Sequence, residues 1–321
     1  MLLSDIYIAH LLLTVSLCLL NIRQSKYLYY FAISYHILFL MVTRTIEFKQ
    51  DLLNYYRYAV WDVILVREPV FTLVNSYSYK AFGQEFIFLI ADTLSVYLMY
   101  RTIRNRNLNY VYLFCFMCFF PMIMGFQSIY RQHFGTLIVL WVMSVHVDKN
   151  KFKQSTLLSK LKKAMNLVAP ITHNIHFVSL IASFIARFNS VLILTTAVLI
   201  SLGLVNLYSM LGKPNTNTGG SSAVLFATVL LVLTFVFWKL HREYAYKFCL
   251  FSVVIVSIMS LGGLETPAER TGIALLILIW PMLAEVVECV RPKHIVRAGF
   301  AIIGCVPIFV SAARTLLYVE I

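Results

Sequence analysis

The 321-residue chain is 60% hydrophobic and only 13% charged, and apolar runs of about twenty residues, long enough to cross a bilayer, recur from end to end. That excludes an ordinary soluble enzyme and predicts an all-α, polytopic integral membrane protein forming one domain over residues 1–321. The formal charge of +13 raises a nucleic-acid partner, but Lys and Arg gather in alternate loops, so the excess follows membrane topology and no nucleic acid is implied.

The first apolar run, 4–20, has no basic segment ahead of it and no small-residue cleavage site, which predicts a retained span rather than a signal peptide. Further spans are expected at 28–42, 85–100, 110–126, 134–147, 191–211, 223–238, 248–261, 271–287 and 296–317. Residues 164–187 are apolar but interrupted by Pro170, His173, Asn174 and His176. The six cysteines, Cys18, Cys115, Cys118, Cys249, Cys289 and Cys305, lie within or at the ends of apolar segments, where free thiols act as small hydrophobes. Cys115 and Cys118 form a CxxC without a second pair, so packing is the expected role rather than metal or redox chemistry.

Five segments carry the basic residues: Arg23 and Lys26; Arg101, Arg104 and Arg106; Lys149, Lys151, Lys153, Lys160, Lys162 and Lys163; Lys239, Arg242 and Lys247; and Arg291, Lys293 and Arg297. Short cytoplasmic loops hold such excess. Placing all five inside requires an even number of crossings between Lys163 and Lys239, and the spans at 191–211 and 223–238 supply two. Residues 164–187 are therefore expected to enter and leave on one side, as a re-entrant hairpin with irregular backbone at its turn.

The outside then receives 43–84, the turn at Arg131, the "GKPNTNTGGSS" loop and the "GGLETPAER" turn. The first is rich in tyrosine and mixed charge and predicts amphipathic helices at the interface. Arg131 and Arg270 share this expected face, each at the head of a span. An arginine deep in a helix costs about 2.5–3.5 kcal/mol to insert, so it snorkels, pairs or lines a polar cavity. Its planar fork suits a bulky anion such as a phosphate. His173 and His176, three apart, are candidate general bases; no acid or thiol lies near enough in sequence to complete a metal set. Glu68, before Pro69, is a further base candidate. Asp51 and Asp62 read as solvated loop acids, and Asp92, inside a span, as a packed, paired polar group. For Tyr55, Tyr56, Tyr58 and Trp61 an interfacial belt competes with stacking on sugar rings.

The order "DLLNYYRY", "REPVFTLVN", "IYRQHFGTLIVL", a lysine-rich inner loop, "LVAPITHNIHF" and "ERTGIALLILIWP" resembles the EpsG/Wzy family of bacterial polysaccharide polymerases. The likeness covers about residues 51–281. It assigns Arg131 and Gln132 to the family's Arg-Gln, Glu68 to its Glu-Pro glutamate and Arg270 to its late arginine. For the histidine, Ala169 four residues ahead favours His173, whereas the following "FVSLI" suits His176, and both stand.

The resemblance implies a GT-C-like architecture in the bacterial cytoplasmic membrane, with the site facing the periplasm. There an undecaprenyl-pyrophosphate-linked oligosaccharide donor is transferred onto the hydroxyl of a second lipid-linked unit. Arg131, Gln132 and Arg270 then bind pyrophosphate and sugar, while His173, His176 or Glu68 takes the acceptor proton. No metal or other cofactor is implied, and a chain-length regulator and a flippase are the implied protein partners. Rival readings are a flippase or exporter of the same lipid-linked glycan, an O-antigen ligase, and a polyprenyl-phosphate-sugar glycosyltransferase. The transporter should show half-helices or internal symmetry, and neither is evident in the sequence.

Overall fold

The computed structural model of the protein describes residues 3–20, 25–46, 50–61, 69–127, 129–145, 168–170, 176–210 and 221–306. Among them all regular structure is helical, with no strand. In chain order the helices are α1 Leu3–Leu19, α2 Lys26–Ile46, α3 Gln50–Val60, α4 Pro69–Phe82, α5 Leu89–Asn105, α6 Val111–Cys118, α7 Phe120–Gln127 and α8 Tyr130–Val145. They continue with α9 His176–Ile185, α10 Ser190–Met210, α11 Ser221–Lys239, α12 Glu243–Leu261, α13 Glu265–Cys289 and α14 Lys293–Cys305. Each expected span is mostly helical in its described part. Three helices, α10, α12 and α13, are long and apolar enough to cross a membrane, whereas α9 and the described parts of α1 and α11 are apolar but shorter.

The expected span at 110–126 is two helices. Phe119 leaves α6 in extended backbone, ψ 121°, and α7 restarts at Phe120 ahead of Pro121. Proline has no N–H to give and crowds the preceding turn, so an unbroken helix through this point would lose a rung of its ladder. Polar termini extend other helices beyond their apolar cores: α5 runs on through Arg101 and Arg104 to Asn105. It ends in a Schellman turn, with Asn107 left-handed at φ 54° and the N–H groups of Asn107 and Leu108 bonded to the carbonyls of Arg104 and Ile103. The segment expected as interfacial helices contains α3 and α4. α4 opens on Pro69, whose missing N–H costs nothing in a first turn.

Two compact units divide the chain: residues 1–174 with 280–321, and residues 175–279. In the first, α6 is buried on all sides, as a helix apolar around its whole circumference must be. Trp280, on α13, packs tilted against Phe116 at 4.3 Å and meets Phe300 at 5.5 Å and Tyr112 at 5.8 Å. A polar seam runs along one face of α1. His10 bonds the Tyr35 hydroxyl at 2.9 Å and the Phe114 carbonyl at 3.2 Å, Tyr7 accepts from Gln127 at 3.2 Å, and Thr14 accepts from Cys118 at 3.4 Å. Cys115 and Cys118 are buried free thiols, Cys115 against Cys18 with sulfurs 3.8 Å apart.

Hydrogen bonds at both ends fix the relative direction of α5 and α8. Near the two N-termini the Tyr130 hydroxyl donates to Asp92; near the two C-termini Asn105 Nδ2 donates to Ser144 Oγ at 3.0 Å. The helices are therefore parallel, and each rises about 20 Å between its two pins at 1.5 Å per residue. The C-terminal pins share their end with basic residues of the first unit. Arg106 bonds Glu285 at 2.6 Å, Glu288 takes Arg297 at 2.7 and 3.0 Å and Lys293 at 3.2 Å, and Tyr29 of α2 packs tilted against Tyr100 of α5 at 4.3 Å.

In the second unit α9, α10 and α11 pack on α12. Tyr244 Oη reaches the Ser183 carbonyl at 3.1 Å. α10 buries only Ile193, Ala197 and Ser201, a stripe at i, i+4 and i+8 of small and medium side chains. The rest of its surface is apolar and outward, with Val191 75%, Leu199 65% and Met210 85% exposed. Water penalises so broad an apolar surface, whereas in lipid it carries no such penalty and close packing of small residues holds the helices together.

Candidate functional site

α8 begins by burying Tyr130. Its ring meets Phe71 of α4 at 5.1 Å, Phe88 at 5.7 Å and Phe126 of α7 at 5.8 Å, and its hydroxyl donates to the buried Asp92. Asp92 is thus the packed, paired acid expected from the sequence. It also lies in the first turn of α5, where the helix dipole favours negative charge.

The next residue turns about 100° around the axis, bringing Arg131 toward α3. Its guanidinium carbon lies 5.3 Å from the centre of the Tyr55 ring, and the side chain is half-buried. Tyr55 is itself buried and set edge-on to Phe71 at 5.2 Å, so α3, α4 and α8 meet around one cation. A cation over an aromatic face gains about 0.5–1 kcal/mol when exposed and about 2 when desolvated. Gln132 is 2% exposed. His133 is buried with its ring 4.3 Å from that of Phe126 and lies over Gly125, where a Cβ would stand 2.3 Å from Nδ1. Only glycine fits beneath that ring.

Two buried polar groups belong to the same helices. Asn75 of α4, one turn past Phe71, is 1% exposed, and neither side-chain amide atom has a hydrogen-bond partner among the described residues. Ser95 of α5, one turn past Asp92, is fully buried with its hydroxyl unpartnered among the described residues. Leaving such groups dry costs about 1–3 kcal/mol each, so each calls for a reason. Neither carries a charge that would mark it in the sequence, although Asn75 closes the stretch "REPVFTLVN".

The second unit holds the other described candidates. His176 is the first residue of α9 and fully buried. Arg270 is half-buried in the early turns of α13, beside Thr271, whose hydroxyl donates to the Pro267 carbonyl at 2.7 Å. Glu68, His173 and Asp62 lie outside the described residues, as does the turn of the expected hairpin at 171–175. The structure thus brings Arg131 over Tyr55 within one unit, with Gln132 buried at the next position of α8, while His176 and Arg270 belong to the other. Of the expected aromatics, Tyr55 turns inward beneath Arg131, whereas Trp61 is exposed. Among the described residues no group of three His, Cys, Asp or Glu side chains is placed to hold a metal ion.

Compared with protein-family models, curated proteins and solved structures, the chain matches none. The chemistry is therefore read from the residues alone.

Proposed function

We propose that the chain is a polysaccharide polymerase: a multi-span, GT-C-like glycosyltransferase of the bacterial cytoplasmic membrane that acts at the outer face. It transfers an undecaprenyl-pyrophosphate-linked glycan onto a hydroxyl of a second lipid-linked unit. The observation that carries this reading is Arg131, a permanent cation held over the Tyr55 ring at the N-terminal end of α8, away from the basic C-terminal end of α5. The motif order that resembles the EpsG/Wzy family supports it independently.

In the transfer the bond between the anomeric carbon and the pyrophosphate oxygen breaks, and its electron pair leaves with the pyrophosphate. The acceptor oxygen bonds the anomeric carbon and surrenders its proton to a base, for which His173, His176 and Glu68 are the candidates. A guanidinium preset at Arg131 offsets the charge growing on the leaving group, Gln132 orients phosphate or sugar, and the motif gives Arg270 a like role. Membranes carrying Arg131→Lys or Arg270→Lys, supplied with lipid-linked repeat units, should make no long polymer at normal protein level. Long polymer from either variant counts against the assignment.

One observation favours the transport rival, the interruption of α6–α7 at Phe119, since broken helices shape substrate sites in transporters. Reconstitution with donor and acceptor on one face separates the two. Polymer formed there supports the transferase; donor crossing without polymer supports transport.

A further inference from the structure

We propose that a cleft at the basic end of the first unit binds the phosphate-bearing headgroup of an anionic phospholipid, drawn from the leaflet next to that end. The cleft has a volume of about 360 Å³ and is lined by Ser25, Lys26, Tyr29, Tyr100, Arg104 and Tyr110. Three tyrosine rings form its wall: Tyr29 stands 4.3 Å from Tyr100 and 5.9 Å from Tyr110, and those two are 5.6 Å apart.

Two cations complete it. Arg104 Nη1 donates to the Tyr100 hydroxyl at 3.3 Å, and the Schellman turn just beyond fixes the end of α5 that carries it. Lys26 opens α2, where Ser25 Oγ accepts the Leu28 N–H at 3.1 Å, so the positive end of that helix adds to the side-chain charge. No carboxylate lines the cleft, and residues 6–46 and 93–147, which supply all six lining residues, contain no Asp or Glu.

This chemistry recognises a phosphate monoanion: two cationic donors, hydroxyl donors, and aromatic faces for the glycerol carbons. A soluble phosphate shares the first two requirements. The lipid is favoured because the cleft opens among the basic helix ends, where Lys, Arg and Tyr sit at headgroup depth, and because anionic lipid concentrates beside such segments. The site is distinct from Arg131, which lies at the other end of α8, so this proposal stands or falls apart from the polymerase reading.

The test titrates the purified full chain, in neutral detergent, with a fluorescent phosphatidylglycerol; phosphatidylcholine and inorganic phosphate form separate arms. Phosphatidylglycerol should bind, and the Lys26→Gln/Arg104→Gln double variant should bind it more weakly by about tenfold or more. An equal charge loss at Lys239→Gln/Arg242→Gln should change binding by less than about twofold, as screened surface charge does. Tyr110→Phe keeps the ring and removes one hydroxyl. Should the double variant fail to fold, Tyr110→Phe and Arg104→Gln singly decide, each expected to weaken binding. Unchanged affinity in the cleft variants, equal loss in the control pair, or phosphatidylcholine binding as tightly overturns the proposal. Full displacement of the lipid by inorganic phosphate overturns the lipid assignment in favour of a soluble anion.

Discussion

The Tyr130 hydroxyl donates a hydrogen bond to the buried Asp92 carboxylate, fastening the head of α8 to the first turn of α5 one residue before Arg131. Tyr130→Phe deletes that donor and keeps the ring among Phe71, Phe88 and Phe126. It should destabilise the protein by about 1–3 kcal/mol, read as a lower midpoint of thermal unfolding in detergent. Asp92→Asn, which still offers an acceptor oxygen, should cost less than Asp92→Ala.

Gly125→Ala drives a methyl into the His133 ring, which Phe126 flanks on another side. A loss of about 1–3 kcal/mol is expected from overpacking. Adding His133→Ala should recover part of it, so the double variant loses less than the two single losses combined. Additive losses would show that the two residues do not touch.

Tyr55→Leu removes the aromatic face under Arg131 and keeps an apolar side chain against Phe71. Polymer formation should fall more than unfolding stability, because the guanidinium loses its support while α3 keeps its packing; Tyr55→Phe should retain most of both. Equal behaviour of the Leu and Phe variants would exclude a cation–π role.

The helices were legible because long apolar runs signal spans whatever their partners, and the described part of each expected span is mostly helical. Asp92 was legible too, since an acid inside such a run needs a partner. What the sequence hid was the partner itself: Tyr130 lies far along the chain, and no periodicity encodes a contact between distant helices. The same holds for Tyr55, which read as one member of an aromatic belt until Arg131 was placed over it. The break at Phe119 did have a signal in Pro121, masked by apolar residues on both sides. Asn75 closes the stretch "REPVFTLVN" but carries no charge, and an uncharged amide in an apolar run gives no sign of its burial.

The side of each basic segment can be checked by labelling. In a Cys289→Ser background, cysteines at Tyr27, Asn107 and Arg291 should react from one side of sealed vesicles, and a cysteine at Tyr77 from the other. Tyr77 reacting together with Asn107 would refute the orientation read from the basic loops.

Glu285→Ala strips its carboxylate partner from Arg106, whose side chain is 4% exposed. A cost of about 1.5–3 kcal/mol is expected for a hydrogen bond to a charged group, while Glu285→Gln, still able to accept, should lose less. Chemical unfolding in mixed micelles measures both.

Pinned together top and bottom, α5 and α8 behave as a ruler whose length the chain cannot adjust. If a substrate engages Arg131, it is therefore held at a set height above the basic C-terminal end of α5, and sliding one helix along the other would break a pin at each end. If polymer grows here, the travel that each added unit demands falls to the lipid and the sugar, and the guanidinium stays put.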